Sequence, residues 1–158
     1  MKILVINCGS STLKFEVCAI EPEAAVRGNV KRIVGGLIDR IGEQATIELK
    51  TAGNVSREVH YIADHYQAAL AALDRLRVLG LLKEGELAAV GHRVIHGGDK
   101  FSAPVVITDE VIMAVDALRE LAPLHNQPSL DAIRGVRKII GQSVPMVAVF
   151  DTAFHQTL

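Results

Sequence analysis

Three stretches of the chain combine small, hydroxyl-bearing and charged residues in patterns that suit the binding of anions. In the first, NCGSSTLK (residues 7–14), Gly9 lets the backbone approach a ligand, residues 10–12 offer hydroxyl and N–H groups, and Lys14 adds a positive charge. The spacing differs from that of a Walker loop, and no helix follows. An ordinary Gly-Ser hairpin turn is therefore an equally good interpretation of these residues.

The second stretch, GHRVIHGGDKF (residues 91–101), places Arg93 inside an apolar strand. An unpaired guanidinium is costly there, so Arg93 must face either an anion or a fixed carboxylate. The planar fork of arginine matches a carboxylate or a phosphoryl group, and two glycines open the backbone beside it, which favours an anion site. His92 and His96 lie too far apart along a strand for most metal chelation, so the sequence does not predict zinc.

The third stretch, FDTAFH (residues 150–155), places Asp151 at the carboxyl end of a buried strand. An acid in that position usually meets a hydrated Mg²⁺ or a reacting group, and capping of the loop through Thr152 is the alternative. A fourth stretch, PLHNQP (residues 123–128), lies between two predicted helices. Its His125, taken alone, is interpreted as a helix-end cap.

The elements that must position these stretches follow from the hydrophobic pattern. Residues 2–6 form a β-branched-rich run and residues 13–20 alternate after a very short connection, which predicts a β-hairpin with the turn CGSST. Two further alternating segments, 45–50 and 56–62, suit antiparallel strands. The pattern over 21–63 is otherwise weak and interrupted by glycines.

Three helices and two strands are predicted in the remainder of the chain. The helices start after Asp64, Thr108 and Pro128, and the strands span residues 87–95 and 146–151. Hairpin strands followed by alternating helices and strands predict an α/β fold whose sheet mixes antiparallel and parallel pairs. Because the sequence stops soon after a buried strand with no closing element, we expect it to be part of something larger.

Composition and charge exclude several classes of function. Seventeen basic residues against eighteen acidic ones give a net charge of −1 without a basic run, which disfavours binding to nucleic acid or to a membrane surface. No apolar stretch approaches the roughly 20 residues that span a bilayer, and no signal-peptide core precedes Asn7, so we expect a cytoplasmic protein. Cys8 and Cys18 are expected to be reduced, partly buried thiols, and His60 and His65 to be solvated.

Together, NCGSSTLKF, GHRVIHGGDKF and VFDTAFHQTL resemble the signature segments of acetate kinases, in the same order and at similar separations. The segment APLHNQPSL adds to this resemblance, which covers the whole chain. The resemblance implies an actin-like ATPase lobe with a ribonuclease H-like fold, as in the acetate-and-sugar-kinase, Hsp70 and actin superfamily. Residues 1–158 would form the N-terminal lobe, and the C-terminal nucleotide-binding lobe, with most of the homodimer interface of the full-length enzymes, would lie outside this chain.

The resemblance also implies roles on the phosphate side of a site. Asn7, Ser10, Thr12 and Lys14 would line the γ-phosphate of ATP and its Mg²⁺ or Mn²⁺, with Asn7 close to the metal. Thr12 stands where the family more usually has serine, and it keeps the hydroxyl. Asp151 would act catalytically through the metal.

On the acyl side, the resemblance implies that Arg93 grips the carboxylate of acetate or the phosphoryl group in flight. Ile95 and Leu124 would line the pocket for the methyl group of acetate. His125 would stand near the phosphoryl group as a supporting hydrogen-bond donor.

The implied reaction is a reversible, in-line phosphoryl transfer between ATP and acetate that gives acetyl phosphate and ADP. Because the carboxylate of acetate is already a nucleophile, catalysis would consist of positioning and charge neutralisation. The lobe is expected to be inactive by itself. A propionate or other short-chain acyl kinase is the nearest alternative, and a non-catalytic phosphate-binding or assembly lobe is the alternative from another class.

Overall fold

An eight-stranded mixed sheet organises residues 1–25, 28–118 and 123–151, the part of the chain that the computed structural model describes. The strands are β1 (Lys2–Cys8), β2 (Thr12–Ile20), β3 (Val30–Asp39), β4 (Gln44–Thr51), β5 (Asn54–Tyr61), β6 (Ala89–Val94), β7 (Val105–Val106) and β8 (Met146–Phe150). The helices are α1 (Pro22–Ala25), α2 (His65–Val78), α3 (Asp109–Ala117) and α4 (Pro123–Ile140). None of these helices is long and apolar enough to cross a bilayer.

The strand order in the sheet is β5-β4-β3-β2-β1-β6-β8-β7. Strands β1 to β5 form an antiparallel meander, whereas β1 pairs with β6, and β6 with β8, in parallel. The short β7 returns antiparallel to β8. The prediction of a mixed sheet with hairpin strands followed by parallel strands is therefore confirmed, as is the β1–β2 hairpin.

Burial alternates along the central strands because the described helices cover only one face of the sheet. On β1, Leu4 and Ile6 are almost completely buried, whereas Val5 between them is 42% exposed. Phe15 and Val17 continue the buried face on β2. The uncovered side is called the open face below.

Strand β3 was not predicted, because it lies in the weakly patterned region and contains the pair Gly35-Gly36. The structure gives a reason for the second glycine. A Cβ atom at Gly36 would collide with the ring of Phe15 on β2, so the ring occupies the space that a side chain would need. The two-residue strand β7 was also missed, since it is too short to show a pattern.

The predicted starts of α2 and α3 are confirmed. The side chain of Asp64 accepts a hydrogen bond from the backbone N–H of Gln67 at 2.8 Å, and Thr108 caps α3 in the same way through the N–H of Val111 at 3.2 Å. Helix α2 packs closely on α4 at Gly135, where a Cβ atom would lie 2.9 Å from that of Ala69.

The predicted start of the third helix is wrong. Helix α4 begins at Pro123, so PLHNQP is helical and Pro128 lies inside the helix. An interior proline removes one backbone hydrogen bond and costs about 3 kcal/mol in an isolated helix. Here the first turns are fixed by a tertiary contact, because the buried side chain of Asn126 bonds to both backbone groups of His96.

The two cysteines are unpaired, which confirms the prediction of reduced thiols, and both are buried. Burial raises the pKa of the Cys8 thiol to about 12, with a smaller contribution from the negative charge of Asp131. Cys8 is therefore protonated and unreactive in the folded chain.

Gly36→Ala should destabilise the fold, because the added methyl group must displace the ring of Phe15 from the core. We expect the free energy of unfolding in urea to drop by about 1–3 kcal/mol, the usual cost of overpacking. Gly91→Ala is the matched control, since a Cβ atom on this other strand glycine meets nothing within 4 Å. Equal losses in the two variants would contradict the explanation.

Acid should destabilise the fold through His92, which is 2% exposed and whose Nε2 has no hydrogen-bond partner among the described residues. Burial lowers the pKa of this imidazole from 6.5 to about 3. Between these two values the unfolded chain binds a proton that the folded chain does not, so stability rises with pH in this window and levels off above it.

The expected slope from this one group is up to about 1.4 kcal/mol per pH unit. Urea unfolding at about pH 4.5, 5.5 and 7.5 measures it. His92→Leu, which removes the titrating group but keeps an apolar side chain, should flatten the slope by that amount. An unchanged slope in this variant would assign the pH dependence to other residues.

Candidate functional site

The candidate site lies where three parallel strands end at one edge of the sheet. Because β1, β6 and β8 are parallel, their last residues, Cys8, Val94 and Phe150, meet at this edge. The hairpin turn of residues 9–11 leaves the same end of β1. Open α/β sheets bind ligands at such an edge.

Arg93 and Asp151 form a two-pronged ion pair at this edge. The Nε of Arg93 lies 2.9 Å from Oδ1 of Asp151, and its Nη2 lies 2.6 Å from Oδ2. The third nitrogen, Nη1, donates to Oδ1 of Asn7 at 3.2 Å. Of the two predicted partners for Arg93, an anion or a fixed carboxylate, the structure contains the carboxylate.

This arrangement orients the guanidinium without burying it. Hydrogen bonding to Asp151 raises the pKa of Arg93 above its usual value, so the group is always charged. The side chain of Arg93 nevertheless stays 49% exposed. A positive charge with a fixed orientation and an accessible surface can bind a carboxylate or a phosphoryl group.

The backbone around Arg93 is held from the helix side. Its carbonyl oxygen accepts a hydrogen bond from the hydroxyl of Ser129 on α4 at 3.1 Å. The loop that follows is fixed by Asn126, whose side chain accepts from the N–H of His96 at 3.1 Å and donates to its carbonyl at 3.0 Å. Helix α4 therefore sets the direction in which β6 presents Arg93.

Two phenylalanines pack the glycine loop against the end of β8. Phe101, at the end of GHRVIHGGDKF, stacks on Phe150 with the ring centroids 4.7 Å apart. Gly97 lies under this pair, since a Cβ atom there would come within 3.0 Å of Phe101 and of the ring of Phe150. Because Phe150 immediately precedes Asp151, this packing also fixes the backbone position of Asp151.

The turn of residues 9–11 is short and presents its serines to solvent. The N–H of Gly9 donates to the carbonyl of Thr12 at 3.0 Å, and Ser10 and Ser11 between them are exposed. A Cβ atom at Gly9 would lie 2.5 Å from the hydroxyl oxygen of Thr12. Glycine at this position therefore lets the Thr12 hydroxyl lie over the turn.

Lys14 lies on the open face, in register with Asn7 on the neighbouring strand. Asn7 therefore separates Lys14 on one side from Arg93, its hydrogen-bonded partner, on the other. Lys14 also lines a depression of about 260 Å³ on this face, together with Glu16 and Arg32. The two positive charges thus lie on opposite sides of one asparagine.

His65 corrects one expectation from the sequence. It was expected at the surface but is only 6% exposed, and its Nε2 lies 2.8 Å from the carbonyl oxygen of Gly9 and 3.2 Å from that of Thr12. His60, by contrast, is exposed on β5 as expected. One feature of the sequence could have predicted this burial. His65 directly follows Asp64, a strong N-cap, and therefore lies at the fixed end of a helix.

The structure brings together only some of the predicted site residues. Asn7, Arg93 and Asp151 are in contact, Ser10 and Thr12 are at the adjacent turn, and the half-buried Ile95 follows directly on β6.

Leu124, His125 and Thr152 have side chains outside the described residues. Two residues that support the site, Asn126 and Ser129, were missed by sequence reasoning because their partners are backbone groups distant in the chain.

A metal would find few protein ligands in the described part of the chain. Over residues 1–25, 28–118 and 123–151, no group of three His, Cys, Asp or Glu side chains is close enough to hold one. Asn7 and Asp151 offer oxygen donors within hydrogen-bonding reach of the same guanidinium. This pair fits an ion such as Mg²⁺, which is typically held by one or two protein oxygens, water and substrate phosphates.

Sequence comparison identifies the family. A sequence profile described as the acetokinase family matches residues 2–158. The chain belongs to this family. It is 44% identical to the acetate kinase of Oceanobacillus iheyensis and 42% identical to that of Anoxybacillus flavithermus, and each alignment covers 99% of this chain and 38% of the relative. The chain therefore spans well under half the length of these family members.

Solved structures of the family have the same fold. The acetate kinase of Porphyromonas gingivalis matches with a TM-score of 0.84 and 34% identity, over 99% of this chain and 39% of that one. A propionate kinase from Francisella tularensis matches with a TM-score of 0.83 and 34% identity, over 99% of this chain and 38% of that one. The expectation of an actin-like ATPase fold is confirmed.

Asn126→Ala should destabilise the chain by about 1–3 kcal/mol, because it removes the two hydrogen bonds that the buried side chain of Asn126 makes to the backbone of His96. Asp151→Asn is the matched control, since it weakens a partly exposed ion pair and should change the free energy of unfolding by less than about 1 kcal/mol. Urea unfolding of both variants makes the comparison. A loss at Asp151 as large as that at Asn126 would show that the ion pair is part of the folding core.

Proposed function

We propose that residues 1–158 form the N-terminal lobe of an acetate kinase and supply the acetate and phosphoryl side of its active site. The reaction is the reversible transfer of the γ-phosphoryl group of ATP to acetate, which gives acetyl phosphate and ADP. The observation that carries this proposal is the guanidinium of Arg93, held by Asp151 and Asn7 at the edge where the parallel strands end. Membership of the acetokinase family supports it.

The chemical problem is the approach of two anions. A carboxylate oxygen of acetate must form a bond to the γ-phosphorus while the bond from that phosphorus to the β,γ-bridging oxygen breaks. The bridging oxygen leaves with ADP. Arg93 and Lys14 are the cations of this chain that offset the repulsion. Acetate needs no general base, so positioning and charge are the contributions required of the protein.

Asp151 has two tasks in this proposal. It orients Arg93 through both carboxylate oxygens, and Oδ1 keeps a further lone pair that can accept another bond. Together with the amide oxygen of Asn7 it would hold Mg²⁺ or Mn²⁺ carried by the nucleotide. When bound, the ion supplies positive charge at the phosphate oxygens.

The turn after β1 would receive the phosphates. The N–H and hydroxyl groups of Ser10, an exposed residue, and the hydroxyl of Thr12 are the donors in this part of the proposal. Backbone N–H groups in tight turns form anion-binding concavities of this kind. The adenosine pocket and the homodimer interface belong, in this proposal, to a C-terminal lobe outside the chain.

A propionate or other short-chain acyl kinase is the second candidate, because the Francisella tularensis propionate kinase is as similar to this chain as the Porphyromonas gingivalis acetate kinase. The two substrates differ by one methylene group, and Ile95 and Leu124 are the proposed wall of the alkyl pocket. The bulk of Ile95 favours acetate. Comparison of kcat/KM for acetate and propionate in the experiment below decides between them.

The proposal is tested in a chimera that joins this chain to the remainder of the Oceanobacillus iheyensis acetate kinase, whose N-terminal part it matches. We expect acetate-dependent formation of acetyl phosphate from ATP. Arg93→Ala should lower kcat/KM by about 100-fold or more, equivalent to at least about 2.7 kcal/mol of transition-state stabilisation. The 158-residue chain alone should show no turnover.

Arg57→Ala is the matched control, because Arg57 is also an exposed arginine in an ion pair, with Glu48, but lies on β5 away from the strand ends. Its kcat/KM should stay within about threefold of the parent chimera. A folded chimera that makes no acetyl phosphate would favour the non-catalytic lobe. Turnover by the isolated chain would overturn the division of the site between two lobes.

A further inference from the structure

We propose that His65 is a positioning residue for the turn of residues 9–11, and that its imidazole orients the Gly9–Ser10 peptide so that the N–H of Ser10 faces the site. The purpose of this orientation rests on the proposed function, in which the turn binds phosphate. The contact itself is a separate claim about the geometry of the chain, and it can be tested separately.

The direction of the hydrogen bonds follows from the partners of His65. Its Nε2 lies 2.8 Å from the carbonyl oxygen of Gly9 and 3.2 Å from that of Thr12. Carbonyl oxygens only accept, so Nε2 must carry the proton and donate. The imidazole therefore joins the two residues that flank the exposed serines.

The imidazole has a fixed position because it belongs to a helix and not to the turn. His65 is the first residue of α2, whose N-terminus is capped by Asp64. The helix packs against α4 so closely that only glycine fits at Gly135. With 6% of its surface exposed, His65 has little freedom to move relative to this core.

A fixed Gly9 carbonyl determines what the turn presents. In a trans peptide the carbonyl and the following N–H point in opposite directions, so a Gly9 oxygen directed at His65 turns the N–H of Ser10 away from the helix. The Thr12 carbonyl is occupied by the N–H of Gly9 and by His65, which closes the base of the turn. The donor is thus oriented before a ligand arrives, which removes an entropic cost from binding.

A role in packing alone would have different consequences. A buried histidine that only fills space would be replaced without effect on the turn by an apolar side chain of similar size, and a donor on the new side chain would be irrelevant. A positioning role requires the donor itself. This difference determines the choice of variants.

The experiment uses the isotopically labelled 158-residue chain and three variants. His65→Gln can place a side-chain N–H near the position of Nε2, and His65→Met fills a similar volume without a donor. His60→Met is the matched control, since His60 is an exposed histidine on β5. The measurements are amide chemical shifts and hydrogen exchange over residues 9–12, urea unfolding, and a titration with inorganic phosphate against chloride at equal ionic strength.

A first measurement needs no variant. The proposal requires the proton of His65 on Nε2, protected from exchange with solvent, in the long-range ¹H–¹⁵N spectrum of the unsubstituted chain. A neutral imidazole protonated on Nδ1 alone would overturn the proposal, whether or not any variant folds.

In the variants, we expect His65→Met to speed exchange of the Gly9 amide, which donates to the Thr12 carbonyl, by about tenfold or more. This factor corresponds to loss of a hydrogen bond worth about 1.4 kcal/mol. His65→Gln and His60→Met should stay within about threefold of the parent chain. A His65→Met chain that is less stable but keeps the parent shifts and exchange rates over residues 9–12 would reduce His65 to core packing and overturn the proposal.

The phosphate titration separates this inference from the proposed function. Saturable shifts at the Ser10 amide in the parent chain, weakened in His65→Met and restored in His65→Gln, support both. If the Ser10 amide responds to phosphate no more than to chloride, the turn has no role in phosphate binding. The tautomer and exchange data would still decide whether His65 fixes the turn.

Discussion

Strand β1 is hydrogen-bonded along both of its edges, antiparallel to β2 and parallel to β6, and the position of every candidate side chain depends on this double pairing. The antiparallel partner makes the chain turn sharply at the end of β1. The parallel partner brings the end of β6 to the same place, and β8 follows through its own parallel pairing. A turn, an arginine and a carboxylate from three distant parts of the sequence therefore meet without any long loop.

The register of these strands assigns opposite environments to neighbouring residues. On β1, Asn7 lies on the open face while Cys8 is buried, and on β6 the exposed Arg93 follows the buried His92. A shift of either strand by one residue would exchange these side chains and put a guanidinium into the core. Because that exchange is costly, the alternation of apolar residues that builds the core also fixes the direction of the polar side chains between them.

Local signals in the sequence were sufficient for much of this fold. Alternation predicted the first hairpin, the capping pattern predicted the start of α2 at Asp64, and the position of Asp151 after an apolar run marked the end of β8. A negative partner for Arg93 was also predicted, from its place in an apolar strand, although its side chain lies on the open face and is 49% exposed. The identity of this partner could not be predicted, since both an acidic side chain and a bound anion satisfy the requirement.

What escaped sequence reasoning depends on contacts between distant elements. Strand β3 was missed because its Gly36 makes room for a ring on β2, which a local pattern cannot show. Helix α4 starts before Pro128 because Asn126 is bonded to the loop after β6. His65 looked like an ordinary polar residue at a helix start, and only the position of the turn, folded back over it, reveals a role.

The mixed pairing of the sheet also has a consequence for the order in which the chain can fold. The meander from β1 to β5 pairs segments that follow one another in sequence, and such contacts close short loops. The parallel pairing, by contrast, joins Ile3 to Ala89, and β6 to a strand that begins only at Met146. Contacts of high sequence separation form slowly. During synthesis the meander can therefore exist while the edge that carries Arg93 and Asp151 is still incomplete, and the unpaired side of β1 is then an exposed template for incorrect strand pairing.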